Sequence, residues 1–178
     1  MKFAVFSPDD ADDIEQLVHT TFTDADSRAE GDMVARLVRD FMSRTAAADL
    51  YGFTATEDER LIGVIFFSRM TFASGINAFI LAPVAIHTNH QGQGIGQSLI
   101  AFGLHALKED GVSLVLTYGD PRFYTKVGFI PIPETLVPAP LTLTRPEGWL
   151  AQSLTGETIT PLAGPSRCVN ELARPEYW

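Results

Sequence analysis

A long apolar run at residues 76–86 leads into Gln91, Gly92, Gln93, Gly94, Ile95 and Gly96, and a helical pattern opens there and continues to Glu109. No Lys, Arg, Asp or Glu occurs anywhere from Met70 to Leu107. A strand, a glycine loop and a helix following one another read as a β-α unit. The buried strand pattern at residues 112–118 completes it as β-α-β, with parallel neighbours and a right-handed crossover. Alternating glycines leave backbone amides open to close approach by an anion. The helix start adds unpaired N–H groups and the positive end of its dipole. Ligands in such sheets bind beyond the carboxyl ends of the strands, which predicts a cleft around Ile86, His87, residues 91–96 and residues 118–124.

The rest of the chain supplies the flanks of that unit. Residues 3–6 read as a short strand, followed by Ser7 as cap and Pro8 at the first helical position. Ile14, Leu17, Val18 and Phe22 then recur at helical spacing, as do Met33, Val34, Leu37, Val38, Phe41 and Met42. Residues 51–56 and 61–67, joined by the polar turn Glu57, Asp58, Glu59, Arg60, predict a hairpin. In the helix after the glycine loop, Ile95, Leu99, Phe102 and Ala106 share a face, and Gly111 ends it. Pro121 opens a short helix that stops before Gly128, and residues 129–132 form a last strand. The expected order is β-α-α-β-β-β-α-β-α-β, an α/β fold with a mixed sheet (α+β in character) and an irregular C-terminal tail. Short strands at 141–143 and 149–154 are expected within that proline-broken tail. One domain is expected over residues 1–178, with a core to about residue 133 and an extension, 134–178, packed on it.

Three phosphate-binding patterns compete for the glycine loop. A P-loop needs a lysine after its last glycine, but Gln97 and Ser98 follow Gly96. A dinucleotide loop needs G-x-G-x-x-G, and Gly96 comes one residue too early after Gly92 and Gly94. The third pattern, Q/R-x-x-G-x-G/A, is met by Gln91, Gly94 and Gly96. In this the chain resembles the GNAT superfamily of N-acetyltransferases, in which such a loop holds the pyrophosphate of acetyl-CoA. The preceding run Leu81, Ala82, Pro83, Val84, Ala85, Ile86, His87 resembles the superfamily's fourth strand, and Tyr124-x-x-x-Gly128-Phe129 its signature after the fifth. Residues 119–124 and the proline-broken tail resemble more narrowly the YhbS-like branch of predicted acetyltransferases.

The resemblance implies a GNAT-type acyl-CoA N-acyltransferase fold and a division of labour. Acetyl-CoA would be the cosubstrate, with no metal, held by Gln91, Gly92, Gln93, Gly94, Ile95 and Gly96. Val84, Ala85 and Ile86 would offer backbone groups to its pantetheine arm, in the manner of an added strand. Pro83 has no N–H and suits a strand leaving its ladder. Tyr124 would protonate the departing thiolate, a reasonable donor because a phenol near pKa 10 faces a thiol near about 8.5. The base is not identified: residues 76–86 hold no carboxylate, and Asp120, His87, Tyr118 and Glu57 each have an ordinary structural reading. The acidic cluster Asp9, Asp10, Asp12, Asp13, Glu15 reads as a complement to a helix dipole rather than a metal site.

Charge and cysteine content bound the partners. A net charge of −9 excludes a general nucleic-acid binder and tolerates a cationic amine acceptor, whether small molecule or peptide. One cysteine, Cys168, excludes an internal disulfide framework and suits the cytoplasm. The apolar run is about half of a roughly 20-residue membrane span, so no membrane partner is expected. Monomer and homodimer both stay open. The missing strand carboxylate keeps a second class in view, a non-catalytic acyl-CoA-binding sensor or interaction module.

Overall fold

Ser7 accepts from the Asp9 N–H, Pro8 opens a short 3-10 turn, and the chain rises directly into its first long helix. The computed structural model describes residues 1–178. Strand β1 (Lys2–Val5) precedes that turn, and α1 (Ala11–Ala25) and α2 (Arg28–Arg44) follow it. Next come β2 (Leu50–Glu57), β3 (Arg60–Thr71), β4 (Ala78–Ile86), α3 (Ile95–Glu109), β5 (Leu114–Tyr118), α4 (Pro121–Tyr124) and β6 (Ile130–Pro131). The expected element order is met to this point. The short strand expected at 149–154 forms as β7 (Trp149–Ser153), and the tail adds a further strand, β8 (Arg167–Cys168), that was not expected. Hydrogen bonding orders the sheet β1-β2-β3-β4-β5-β7-β6, with β8 on β3. No strand forms at residues 141–143.

The residues group into two compact units, and both β3 and β4 run through each. The first unit comprises Met1–Phe67 and Pro83–Gly103. Its core is built from Ile14, Leu17 and Val18 of α1, Val34, Leu37, Val38 and Phe41 of α2, and Phe53 and Phe66 of the hairpin, all nearly or wholly buried. The ring of Phe66 meets Phe41 at 6.0 Å and Phe6 at 5.4 Å. Thr21 takes the buried helical position that periodicity assigns to Phe22, because its hydroxyl reaches the Ile86 carbonyl. Asp58 and Glu59 close the hairpin with φ of 48° and 62°, the two left-handed residues that a two-residue turn of this twist requires.

The buried face of α3 differs from the expected one. Phe102 is 37% exposed, whereas Ile95, Gly96, Leu99, Ile100 and Gly103 are buried. Glycine at 103 lets the helix sink onto the sheet, since an added Cβ would lie 2.7 Å from the Phe67 ring and 3.0 Å from that of Phe53.

The second unit comprises Ser68–Ala82 and Leu104–Trp178. Here β4 and β5 pair in parallel from Ala78↔Leu114 to Leu81↔Thr117, as the β-α-β pattern requires. β7 is antiparallel to both β5 and β6 and lies between them. Trp149 anchors it, fully buried, with its indole N–H donating to the Val137 carbonyl at 2.8 Å.

Candidate functional site

Strand β4 changes character midway. The Asn77 carbonyl accepts from Ser113 and Leu114 on the β5 side, while the His87 N–H donates to Ile62 of β3 at 2.8 Å. Strict alternation would turn the His87 N–H the other way, so the strand slips by one residue between Leu81 and His87. Pro83, with no N–H to lose from a ladder, falls inside that slip. The carbonyl of Ile86 shares a peptide plane with the His87 N–H and therefore points away from β3. Val84, Ala85 and Ile86, the predicted pantetheine strand, are all in this stretch, with Ala85 and Ile86 buried and Val84 half-buried.

That outward carbonyl anchors the glycine loop. Gln91 donates its side-chain amide to it at 2.9 Å, and Gln93 donates likewise to the Asn89 carbonyl at 3.3 Å. Thr88 binds Asp24 at 2.7 Å, and His87 Nδ1 accepts from Asn89 N. Both glutamine side chains thus turn back onto the loop and leave its outer face to the main chain. Gly92 and Gly94 are exposed with φ of 74° and 79°, and nothing lies within 4 Å of a Cβ added at either. The Gly94 carbonyl receives the Ser98 N–H at 3.0 Å and starts α3. A glycine there has no side chain to cap the first-turn amides, and the dipole of a 15-residue helix stands behind them. Ile95 is 3% exposed, so its side chain serves the core and only its backbone can face a ligand. This geometry suits a pyrophosphate-sized anion.

Tyr124 belongs to the second unit. Asp120 caps α4 by accepting from Arg122 N at 2.9 Å, and the Arg122 guanidinium binds the same carboxylate, which holds it below the usual carboxyl range. That is the ordinary structural role. Tyr124 then packs edge-on against Phe123 and Phe129, with ring centres 5.0 and 5.8 Å away. Desolvation pushes its phenol above the ordinary tyrosine value, partly opposed by a hydrogen bond with Thr117. The phenol is therefore protonated at neutral pH, as a proton donor must be. Thr117, the one polar residue buried in β5, donates its hydroxyl to the Leu81 carbonyl at 3.0 Å and is a residue that apolar patterning passes over.

Other sequence candidates have structural duties. The Tyr118 hydroxyl donates to the Trp178 carbonyl at 3.0 Å, accepts from Arg145 N at 2.7 Å, and its ring stacks on Trp178. Glu57 faces His90 at 3.7 Å in the first unit. Burial pushes the Cys168 thiol up to about 11, which disfavours the thiolate an acyl-enzyme would need. No three metal-ligating side chains come together, and no helix is long and apolar enough to cross a membrane. Beyond the end of β5 lies a cavity of about 510 Å³, whose walls include Tyr118, Arg145, Glu147, Glu176 and Trp178.

Comparison with known proteins agrees with this geometry. The family model described as an acetyltransferase (GNAT) domain matches residues 24–131. The chain is 32% identical over 174 residues to the uncharacterised N-acetyltransferase YjhQ of Escherichia coli K12, a match spanning 94% of this chain and 92% of that protein. It is 34% identical over 131 residues to YhbS of the same strain, covering 72% of this chain and 73% of YhbS. Among solved structures, the E. coli YhbS acetyltransferase in complex with CoA superposes with a TM-score of 0.82 at 26% identity, over 98% of this chain and 92% of that one. A Brucella melitensis acetyltransferase in complex with acetyl-CoA shares the fold, with a TM-score of 0.65 at 23% identity over 94% of each chain.

Proposed function

Because the chain belongs to the GNAT acetyltransferase family, we propose that it transfers the acetyl group of acetyl-CoA to a primary amine of a small molecule, peptide or protein. The observation that carries the reading is the loop at 91–96, where exposed left-handed glycines and a helix start present backbone N–H groups while both glutamine side chains fold back. The CoA complex of the similar E. coli protein supports the same donor. The similarity to YhbS supports a place in that branch of the family.

Acetyl-CoA brings a thioester already activated for acyl transfer. The chain holds its pyrophosphate at 91–96 and its pantetheine arm along Val84, Ala85 and Ile86, where a backbone N–H also serves the oxyanion. The neutral amine nitrogen would bond to the thioester carbon, the C–S bond would break, the leaving sulfur would take the phenolic proton of Tyr124, and the proton shed by the new amide nitrogen would restore the phenol. The cavity beyond β5 carries both acidic and basic side chains, Glu147 and Glu176 with Arg122 and Arg145, and an amine acceptor must lose its ammonium proton before attack.

One observation favours a second reading. Strand β4 holds no carboxylate that could serve as a base, as expected of an acyl-CoA sensor without turnover. Titration calorimetry with acetyl-CoA, followed by release of CoA thiol across an amine panel, separates the two. Amine-dependent release is the expected result, and tight binding with no release from any amine would favour the sensor. Replacing Tyr124 by Phe should lower kcat about 100-fold with the KM for acetyl-CoA unchanged. Wild-type turnover in that variant would remove Tyr124 from the reaction.

A further inference from the structure

Residues 145–148 form a turn that is pinned at both ends to the end of β5. The Arg145 N–H donates to the Tyr118 hydroxyl at 2.7 Å, and the Gly148 carbonyl accepts the Gly119 N–H at 2.9 Å. The Gly148 N–H closes the turn on the Arg145 carbonyl at 2.9 Å. A Cβ on Gly148 would stand 2.8 Å from the Gly119 carbonyl, so glycine lets the turn lie this close. The Tyr118 hydroxyl in turn donates to the Trp178 carbonyl at 3.0 Å, and the two rings stack 6.0 Å apart at 16°. A turn held in this way presents its side chains from fixed positions.

Those side chains are one cation and one anion. Arg145 and Glu147 both line the cavity of about 510 Å³ beyond β5, a volume within the roughly 300–1,000 Å³ of small-molecule sites. Neither the Arg145 guanidinium nor the Glu147 carboxylate has a partner in the chain, and two residues apart they do not pair with each other. The remaining charges on the walls are committed. Asp120 and Arg122 bind one another at 2.9 Å, and Glu176 already has an interaction within the chain. A guanidinium offers a planar pair of donors that matches a carboxylate, and a carboxylate accepts from an ammonium. The cavity also borders the proposed proton donor. Gly119 lines it, and a Cβ on Gly119 would stand 2.7 Å from Tyr124 Cε2. The ring and the cavity share that bare backbone.

We propose that this cavity takes a free α-amino acid as the acetyl acceptor, its carboxylate on Arg145, its ammonium on Glu147 and its side chain toward the aromatic wall of Tyr118 and Trp178. The proposal deepens the acetyl-transfer reading and rests on it. In the reaction the ammonium gives one proton to solvent, the neutral nitrogen bonds to the thioester carbon, and the C–S bond breaks with its electron pair on sulfur. The sulfur takes a proton from Tyr124, and the proton shed by the new amide nitrogen restores the phenol. The products are an N-acetyl amino acid, CoA thiol and one released proton. Acetylation removes the positive charge that Glu147 binds, so the product is held less tightly than the substrate.

The test is CoA-thiol release with a panel of L-amino acids, each set against its α-amide. The amide has the less basic amine, so a preference for the acid cannot come from ionisation. In the wild type kcat/KM should be about 10-fold or more higher for the acids, the scale of one charge-assisted hydrogen bond. Arg145→Gln should abolish that ratio through KM for the acid, with KM for acetyl-CoA held. Glu147→Gln should weaken acids and amides together and keep the ratio. Both side chains are exposed, so the variants should fold. Amides turned over as well as acids, or a ratio that survives Arg145→Gln, would overturn the proposal. If no amine releases CoA thiol, the transferase reading fails by itself, and calorimetry of the same amino acids on wild type and Arg145→Gln decides the cavity. Binding that is lost in the variant is the expected result there, and no binding to the wild type overturns the site.

Discussion

The side-chain amide of Gln91 donates to the Ile86 carbonyl at 2.9 Å, so the first residue of the glycine loop is tied to the last residue of the strand before it. This bond fixes where the strand ends relative to where the loop's amides begin. A diphosphate and its pantetheine arm need that distance constant. Replacing Gln91 by Ala should weaken acetyl-CoA binding about 10-fold by calorimetry, the scale of one lost hydrogen bond. Melting temperature should stay close to wild type, since the loop is exposed.

Gly94 and Gly103 are glycines for different reasons, and alanine separates them. At Gly94 the space is open but φ is 79°, so Gly94→Ala should cost about 1–2 kcal/mol of backbone strain and weaken acetyl-CoA binding as the loop shifts. At Gly103 the backbone is helical but the Phe67 ring blocks a Cβ, so Gly103→Ala should cost about 1–3 kcal/mol by overpacking. Its acetyl-CoA affinity should hold. Urea unfolding and calorimetry on both variants check the contrast.

Glu59 sits at φ 62° in the hairpin turn, where a glycine would be unstrained. Glu59→Gly should therefore raise stability by about 1 kcal/mol despite the greater freedom of its unfolded chain. The measurement is the urea midpoint at constant m-value. A lower midpoint would show that the Glu59 side chain makes up for its backbone.

With its thiol pushed up to about 11, Cys168 at pH 7.5 holds about 100-fold less thiolate than an unshifted cysteine. Alkylation by iodoacetamide should be slow at that pH and should accelerate as pH rises toward the thiol's own value. Turnover measured after excess reagent is removed should survive, because the proposed reaction uses no thiol of the protein. Rapid labelling at pH 7.5 would show that the β8 segment opens in solution.

The elements around the cofactor loop were legible because each carries a local physical mark. Ser7 and Pro8 announce a start, Gly111 and Gly128 take the left-handed angles of chain reversals, and the Asp120 cap precedes Pro121. The buried face of α3 was not, since hydrophobic spacing weights Phe102 and gives nothing to Gly96 or Gly103. Gly103 is buried because it lacks bulk, and the reason lies across the interface in Phe53 and Phe67. Thr117 was passed over for a related reason: in an apolar strand its hydroxyl looks incidental until the Leu81 carbonyl stands beside it. The place of β7 between β5 and β6 could not be read either, because a proline-rich stretch separates it from both and carries no pairing signal.

That late strand has a consequence during synthesis. When the ribosome has released β5 and β6, the outer edge of β5 still has no neighbour, because Trp149–Ser153 has not been made. Until β7 arrives, a row of apolar residues with open N–H and C=O groups is available to any extended chain nearby. A nascent chain stalled before residue 149 should be a strong client for chaperones, whereas release a few residues past 153 closes the edge in one step.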